Sequence, residues 1–462
     1  MYPQVKEAAD FMRKHGLPFA SIRAFASMMT EVVEGKEAYV PLDSCSPPHQ
    51  GLLIDLINDS KAVEAFSQRG AGLLSKVIVI KLNGGRSTTM GGEVPKGILK
   101  AKNGFSYLDI IINQMEAIRR RRNIRIPLVL MNSFFTEALT GDLLRTRNTS
   151  VLTFEQNKVP RLEAETLFPL DTDTLEDWAP AGHGDVFLSL QLSGLLDRFL
   201  SEGYRWAFIS NIDNLAACLE PWILGLIEDQ SAEFLMEVTE RTTADRKGGT
   251  LVLRDGRLFL LEIAQVAPQA QEAFMDLDLF PVFNTNNIWV DLGAVKKVLG
   301  ADQLRLPVIQ NRKTVMGHSV MQLETAMGAA ISAFEKAIGL KVTRDRFFPT
   351  KTVEDLFVLQ SDVCILDELF RLRKNPLRPT SLPLRPTMSF SYDFLRSPLN
   401  FPDRFEDPEA VSLVRARELH VEGQVFFERD VRVEGSVTVR GRSRNGVRIP
   451  RGTTLRDTIV TG

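Results

Sequence analysis

Short apolar runs alternate with helix-spaced apolar patterns between residues 75 and 370. The apolar runs, rich in β-branched residues, are 77–82, 126–132, 151–156, 205–211 and 234–238. The helical patterns between them cover 107–122, 186–203 and 221–230. Continuous apolar runs are typical of strands buried on both faces, and amphipathic helices cover such strands. The alternation therefore predicts an α/β fold with a mixed, mostly parallel sheet between helices.

Asp255-Gly256 lies between two alternating runs in 249–266 and predicts an antiparallel hairpin inserted into this region. Residues 1–70 carry helical spacing, with one helix predicted over 52–66, and a proline-rich connector at 41–50. The amino-terminal part is therefore expected to be helical.

The carboxyl-terminal part differs in composition from the rest of the chain. Residues 371–408 begin with a stretch rich in proline and arginine, which predicts a linker or an extended strap. Val-Glu-Gly then occurs at 421–423 and again at 433–435, within apolar and polar residues that alternate. This repeat favours a small β-helix over 409–462, and an ordinary β-meander is the alternative.

Composition limits the function classes. With 462 residues the chain is long enough for two or three domains, and 44% hydrophobic against 25% charged residues is typical of a soluble globular protein. The net charge of -2 argues against a nucleic-acid or anionic-membrane partner, and the Arg119–Arg122 run is interpreted as a solvated helix end. Three dispersed cysteines, an amino terminus without a signal-peptide core and the lack of a spanning apolar run predict a cytoplasmic protein.

The loop after the first buried strand carries the most specific chemistry. VIVIKL runs directly into Asn83-Gly84-Gly85, and glycines without a Cβ let backbone N–H groups approach an anion. Lys96 follows at a distance from which its ammonium can return to the same anion. The loop matches neither the P-loop nor the GxGxxG pattern, so these residues alone leave open both nucleotide binding and a structural turn.

LNGG at 82–85, TMGG at 89–92 and PK at 95–96 resemble the signature of the eukaryotic-type UTP–glucose-1-phosphate uridylyltransferases. Further likeness follows in the same order, in LMNSF (130–134), FEQNKVPRL (154–162), GHGDVFLSL (182–190), FISNIDN (208–214), FNTNNIWV (283–290) and FFPTKTVEDLF (347–357). The resemblance implies a Rossmann-like, glycosyltransferase-A-like core at 71–370 and a carboxyl-terminal left-handed β-helix at 409–462. It also implies UMP transfer from UTP to a sugar 1-phosphate, with glucose 1-phosphate as the first candidate, giving UDP-glucose and pyrophosphate with Mg²⁺ as cofactor.

The resemblance also implies a set of site residues. The catalytic residues would be Lys96, Lys351 and His183, and the magnesium ligand would be Asp213. The nucleotide-binding residues would be Leu82, Asn83, Gly84, Gly85, Lys96, Met131, Gln156, Gly182 and Asn211. The sugar-binding residues would be His183, Gly249, Glu262, Asn284 and Asn286.

These residue types suit an in-line displacement on phosphorus, which depends on positioning and on neutralising charge. Lysines follow phosphate oxygens as point charges, and the Gln156 amide matches an edge of uracil. His183 is expected to donate a hydrogen bond, because an ionised phosphate nucleophile needs no general base. Asn284 and Asn286 share one face if FNTNN is extended.

Four positions depart from the family pattern. Arg86-Ser87 stands where the family has Leu-Gly, and Val94 and Gly97 flank Pro-Lys in place of glycine and serine. Arg86 either binds phosphate or selects a different substrate. The alternatives are therefore the same chemistry on another sugar or cyclitol 1-phosphate or another nucleotide, and a catalytically weak nucleotide-sugar-binding homologue. The open edges of a β-helix favour a homodimer through the carboxyl-terminal domain.

Overall fold

The computed structural model describes residues 2–35, 39–87, 90–92, 94–147, 149–443 and 446–462. The α-helices in these ranges are α1 Pro3–Lys14, α2 Phe19–Val33, α3 Ser60–Ala71, α4 Tyr107–Arg122, α5 Glu137–Arg147, α6 Val186–Leu192, α7 Leu195–Ser201, α8 Pro221–Gln230, α9 Gln271–Phe274, α10 Leu292–Gly300 and α11 Val353–Gln360. Within the described ranges, no helix has both the length and the apolar character needed to cross a bilayer.

The strands form one large sheet, several small ones and a carboxyl-terminal ladder. They are β1 Leu53–Asp55, β2 Val77–Leu82, β3 Lys100–Lys102, β4 Phe105–Ser106, β5 Leu128–Asn132, β6 Leu152–Glu155, β7 Lys158–Pro160, β8 Leu162–Glu163, β9 Trp178–Pro180, β10 Trp206–Asn211, β11 Phe234–Glu240, β12 Thr250–Arg254, β13 Arg257–Leu261, β14 Val282–Asp291, β15 Ile309–Val315, β16 His318–Glu324, β17 Ala337–Lys341, β18 Cys364–Leu366, β19 Leu372–Lys374, β20 Thr387–Phe390, β21 Ser412–Gly423, β22 Val425–Phe427, β23 Arg432–Gly441, β24 Val447–Ile449, β25 Thr454–Arg456 and β26 Ile459–Thr461.

The central sheet has the strand order β1-β17-β11-β14-β10-β2-β5-β6. Every neighbouring pair is parallel except the two pairs that involve β14. All six residues of β2 are buried, as expected for a strand with covered faces. The predicted mixed, mostly parallel α/β sheet is therefore confirmed. Of the five predicted strands, β10, β2, β5 and β6 are consecutive in the sheet, and β14 separates them from β11.

The amino-terminal part differs from the helical prediction. Residues 52–66 were expected to form one helix, but Leu53–Asp55 is a strand that pairs in parallel with β17 at the edge of the central sheet. Helix α3 begins only at Ser60, where the side chain of Asp59 accepts a hydrogen bond from the Ala62 N–H. A capping residue in the middle of the apolar pattern therefore divides it into a strand and a helix.

Two other local predictions have different outcomes. The Asp255-Gly256 hairpin is confirmed, because β12 and β13 pair antiparallel and both turn residues have positive φ, 49° and 75°. The single helix predicted over 186–203 is wrong, because it is divided into α6 and α7 at Gly194, whose φ is 75°. Glycine adopts this left-handed conformation at no steric cost.

The carboxyl-terminal strands stack in parallel. Strand β21 pairs with both β20 and β23, and β23 pairs with β25 and β26. Residues 421–423 lie beside 439–441, so the two Val-Glu-Gly segments do not pair with each other as coils. The twelve residues between the two Val-Glu-Gly segments therefore do not correspond to the spacing of paired residues in β21 and β23. The strands are nevertheless stacked in parallel.

One hydrophobic cluster joins the central region to the carboxyl-terminal ladder. Phe357 of α11 stacks on Phe405 with ring centroids 4.6 Å apart, and Phe405 stacks in turn on Phe427 at 5.4 Å. All three side chains are buried. Since the apolar surface between the two regions is removed from water, the ladder is packed onto the core rather than tethered loosely to it.

A fully buried ion pair lies inside the central sheet. Glu237 of β11 accepts two hydrogen bonds from the Arg346 guanidinium, at 2.7 and 2.8 Å. Asn287 and Trp289 of β14 also donate to this carboxylate. A buried charge is tolerated only when it is paired and fully hydrogen-bonded, as it is here.

Arg346→Met should destabilise the chain by about 3–5 kcal/mol, because it leaves the Glu237 carboxylate buried without a counter-ion. Denaturant-induced unfolding measures this loss. The matched control is Arg205→Met, which breaks exposed ion pairs with Glu228 and Asp291 and should cost at most about 1 kcal/mol. Equal losses in the two variants would contradict a special role for the buried pair.

Candidate active site

Polar residues follow the carboxyl ends of four neighbouring strands. In the register of the sheet, Asn211 at the end of β10 lies beside Leu82 of β2, and Leu82 lies beside Met131 of β5. Met131 in turn lies beside Phe154 of β6, two residues before Gln156. The carboxyl ends of parallel strands are where open α/β sheets bind ligands. The predicted nucleotide residues of four chain segments are therefore brought to one edge.

The centre of this edge is a carboxylate with two ammonium groups. Asp213 Oδ2 accepts hydrogen bonds from Lys96 Nζ at 2.9 Å and from Lys351 Nζ at 3.2 Å. Lys96 Nζ also donates to the Thr350 carbonyl oxygen at 3.0 Å, and the Thr350 N–H donates to the Asp213 carbonyl at 3.2 Å. Three residues far apart in sequence thus share one charge cluster.

The charge state of Asp213 follows from these neighbours. Burial alone would raise the pKa of the Asp213 carboxyl, but Lys351 and Lys96 outweigh it and hold that pKa below its ordinary value. The second carboxylate oxygen, Oδ1, is buried and has no hydrogen-bond partner among the described residues. Such an oxygen is available to a cation or a donor from a ligand.

Gly84 and Gln156 lie against each other on the nucleotide side. A Cβ added at Gly84 would lie 1.9 Å from Gln156 Nε2, so any side chain there would displace this amide. Ser133 Oγ donates to the Gly84 carbonyl at 2.7 Å. Gln156 Oε1 is buried and has no hydrogen-bond partner among the described residues, whereas a Cβ at Gly85 would meet none of their atoms within 4 Å.

Asn83 anchors the start of this loop. Its Nδ2 donates to Asn132 Oδ1 at 2.7 Å and to Thr140 Oγ1 at 3.0 Å. A Cβ at Gly97 would already lie 2.7 Å from Asn83 Oδ1. The Nδ2 group of Asn83 is therefore used to hold the loop in place. A residue larger than glycine at position 97 would collide with the Asn83 side chain.

His183 lies on the opposite wall in a glycine-rich turn. Its Nδ1 accepts a hydrogen bond from the Met327 N–H at 3.1 Å, so the ring proton of the neutral form is on Nε2. Burial, with a contribution from Lys351, lowers the pKa of His183 to about 4. Gly182 has a φ of 90°, and a Cβ there would lie 2.8 Å from the Thr325 carbonyl. This geometry fits the expected donor and not a general base.

The residues predicted for the sugar lie beside β11 and β14. A Cβ at Gly249 would lie 2.4 Å from Glu262 Oε1, and burial raises the pKa of Glu262 to about 7 against the opposing effect of Arg241. Asn286 Nδ2 donates to Asn211 Oδ1 at 2.9 Å, which joins the sugar side to the nucleotide side.

The expected period-two geometry of Asn284 and Asn286 is wrong. The pairing of β14 with β11 shifts between Glu237 and Val238, and Asn286 has a φ of 59°. The Asn286 N–H donates to Asn284 Oδ1 at 2.9 Å, so a β-bulge turns the chain here.

The departures from the family pattern are absorbed within the protein. The Arg86 guanidinium lies 3.8 Å from the centre of the Phe135 ring and 3.6 Å from Glu176 Oε1. Ser87 Oγ and N–H both donate to the Val94 carbonyl, at 2.9 and 3.1 Å. Arg86 thus joins its loop to Phe135 and Glu176 through a cation–π contact and an ion pair.

Sequence reasoning missed several buried polar groups behind the site. Lys81 Nζ donates to Ser210 Oγ at 2.7 Å and to the Ala217 carbonyl at 3.0 Å, and burial lowers its pKa to about 8. Asp185 accepts hydrogen bonds from the Asn157 backbone at 2.6 Å and from its side chain at 2.9 Å. The sequence offered a sign of the buried Lys81, because a lysine inside the apolar run VIVIKL is unusual. It offered no comparable sign for Asp185.

The lowered pKa of His183 predicts a pH-dependent stability. Between pH 6.5 and 4, His183 is protonated in the unfolded chain but stays neutral in the folded protein. Protonation therefore favours the unfolded state, and the contribution of His183 to the free energy of unfolding falls as the pH falls. The free energy of unfolding of the wild type minus that of His183→Gln should drop by up to about 1.4 kcal/mol per pH unit in this window.

The subtraction matters because burial raises the pKa of neighbouring Asp185 to about 6, which acts in the opposite direction in both proteins. Unfolding at a series of pH values gives the difference, with the exposed His318→Gln variant as control. A difference that stays constant from pH 6.5 to 4 would contradict a buried neutral ring.

Relatives with a shared description match this chain over most of its length. A sequence model of the family "UTP--glucose-1-phosphate uridylyltransferase" matches residues 22–434. A relative of that name from Hordeum vulgare is 40% identical over 432 residues, which is 92% of this chain and 87% of the relative. Another from Saccharomyces cerevisiae is 38% identical over 401 residues, which is 84% of this chain and 79% of the relative.

Solved structures agree with the sequence matches. The Trypanosoma brucei UDP-glucose phosphorylase has a TM-score of 0.87 at 34% identity, and the match covers 100% of both chains. A Leishmania major UDP-glucose pyrophosphorylase variant in complex with UDP-glucose has a TM-score of 0.88 at 32% identity, also with 100% of both chains covered. The extent and agreement of these matches show that the chain belongs to the UTP–glucose-1-phosphate uridylyltransferase family.

Proposed function

We propose that this chain is a transferase that moves UMP from UTP to glucose 1-phosphate and releases UDP-glucose and pyrophosphate. The observation that carries the proposal is the buried Asp213 carboxylate with Lys96 and Lys351 at the sheet edge. Relatives with this printed activity match most of the chain, which supports the same substrates here. A cluster of one carboxylate and two ammonium groups matches the charge pattern of a triphosphate and a metal ion.

The reaction is an in-line displacement at the α-phosphorus of UTP. An oxygen of the sugar 1-phosphate forms a bond to that phosphorus, and the bond to the bridging oxygen breaks, so pyrophosphate leaves with the electron pair. Lys96 and Lys351 neutralise phosphate charge from two chain segments, while backbone N–H groups of Gly84 and Gly85 face the triphosphate. No side chain of the site needs to remove a proton, because the attacking phosphate is already ionised.

His183 contributes as a hydrogen-bond donor. Because its Nδ1 is occupied by the Met327 N–H and its pKa is lowered to about 4, the ring is neutral with Nε2–H available at physiological pH. A fixed neutral donor stabilises a phosphate oxygen or a sugar hydroxyl without the cost of reorganisation. This role places His183 between the nucleotide and sugar sides.

Base and sugar recognition follow from the remaining residues. Gln156, packed on Gly84, offers an amide for the uracil edge, and Met131, Leu82 and Gly182, which the family resemblance assigns to the nucleotide, complete the proposed base pocket. Glu262, Asn284 and Asn286 supply acceptors and donors for sugar hydroxyls, with Gly249 leaving room beside Glu262. Asn211 bonds to Asn286 and lies between the two sets.

Magnesium fits this site as the proposed cofactor. Asp213 Oδ1 is buried and unpartnered, and Mg²⁺ takes few protein ligands and keeps waters and phosphate oxygens. Within the described residues no group of three histidine, cysteine or acidic side chains is positioned for a metal, so Asp213 would hold the ion together with substrate. When bound, the metal would neutralise developing charge on the phosphates.

The remaining proposals concern assembly and location. We propose that the parallel carboxyl-terminal ladder is a left-handed β-helix that pairs with a second copy, supported by its stacked parallel strands and open edges. The predicted divisions at residues 70, 370 and 408 stay as predictions. A cytoplasmic location is supported by three free cysteines, as in reducing compartments.

Pyrophosphate release from a substrate panel tests the function. The panel combines UTP, ATP, CTP and GTP with glucose, galactose and N-acetylglucosamine 1-phosphates and inositol 1-phosphate. We expect the highest kcat/KM for UTP with glucose 1-phosphate. A higher value for another pair would replace the substrate assignment, and binding of UDP-glucose without any turnover would support the binding homologue instead.

Lys351→Ala should lower kcat by about 100-fold, because its ammonium neutralises charge that grows in the transition state. Initial-rate kinetics with both substrates varied gives kcat and both KM values. The control is Lys313→Ala, whose half-exposed ammonium lies near Glu324 on the β15–β16 hairpin. An unchanged kcat in Lys351→Ala would remove this residue from the catalytic set.

A further inference from the structure

The segment that carries Lys351 needs an external support. Residues 349–352 lie outside the helices and strands, with only an isolated bridge between Pro349 and Asn214, yet they place the Thr350 carbonyl on Lys96 and the Lys351 ammonium on Asp213. Asp355 begins the fixation, because its Oδ2 accepts from the Lys351 N–H at 2.8 Å and from the Thr352 N–H at 3.0 Å. The position of the catalytic loop therefore depends on what holds Asp355.

Arg385 makes this contact from the proline-rich strap. Its Nη1 donates to Asp355 Oδ1 at 2.9 Å, and its Nη2 donates to the Pro349 carbonyl at 2.7 Å. The same guanidinium lies 3.7 Å from the centre of the Phe348 ring. One planar group thus contacts residues that precede Lys351 and a residue that follows it, and most of the Arg385 side chain is buried.

The strap itself is fixed to the carboxyl-terminal ladder. Arg378 is buried and donates to the carbonyl oxygens of Leu413 and Ala416, at 3.0 and 3.1 Å. Seven positions on, Arg385 holds the loop at the active site. Arg378 thus bonds one end of segment 378–385 to the ladder, and Arg385 bonds the other end to the loop that carries Lys351.

We propose that Arg385 is a positioning residue for nucleotidyl transfer, which aligns the 349–352 loop so that Lys351 and the Thr350 carbonyl meet Lys96 and Asp213. This inference rests on the proposed function. The strap is then part of the active-site support and not only a linker. The fork geometry of arginine is essential, since a lysine at this position cannot reach Asp355 and Pro349 together.

The first test compares Arg385→Lys and Arg385→Met with the wild type. We expect kcat to fall about 10- to 100-fold in both, because small misplacements of a catalytic group have effects of this size. The KM for glucose 1-phosphate should change by less than about 3-fold, since Arg385 touches none of the proposed sugar residues. Arg373→Met is the matched control, because Arg373 lies at the start of the strap and its half-exposed side chain pairs with Asp367, away from the 349–352 loop.

A double-mutant cycle with Lys351→Ala separates positioning from general destabilisation. If Arg385 acts through Lys351, Arg385→Met should lower kcat by less than about 2-fold in the Lys351→Ala background. A full and independent loss in that background, or wild-type kcat in Arg385→Lys, would overturn the positioning role. A wild-type chain without turnover on any substrate pair would instead overturn the proposed function and this inference with it.

Discussion

The Asp213 carboxylate, shared by the Lys96 and Lys351 ammonium groups, is the interaction on which the site depends. A buried carboxylate is costly unless cations and donors compensate it, so the loop that carries Lys96 and the 349–352 segment converge on the end of β10. The other carboxylate oxygen, Oδ1, is buried and has no hydrogen-bond partner in the part of the chain that the structure describes. The proposed magnesium site rests on this second oxygen.

The support of this cluster lies in a second polar layer beneath it. Glu237 and Arg346 form a buried ion pair, and Asn214 bonds to the Phe348 N–H and the Arg346 carbonyl. The chain that leads into Thr350 is thus held from inside the sheet, while Arg385 holds it from the strap. Burying charged groups in a core costs free energy, and here these groups determine the path of the chain that leads into Thr350.

Sequence patterns predicted the elements well where the signal is local. Strand β2 and helix α4 have the predicted bounds, and the Asp255-Gly256 hairpin forms. Prediction was wrong at 52–66 and at 186–203, where a capping aspartate and a left-handed glycine end elements inside apolar patterns. Apolar spacing reports burial, and it does not report where the backbone changes direction.

The amino-acid sequence by itself determined the class of sheet, the glycine-rich loop and, through family resemblance, the residue types of the site. Only the tertiary structure decided that Lys96 and Lys351 share one oxygen, that Arg86 pairs with Glu176, and that a bulge carries Asn286 to Asn211. The physical reason is that pairing of buried polar groups depends on strand register and loop packing over long separations. These contacts lower the cost of burial only when distant segments meet, and no local pattern records which segments do.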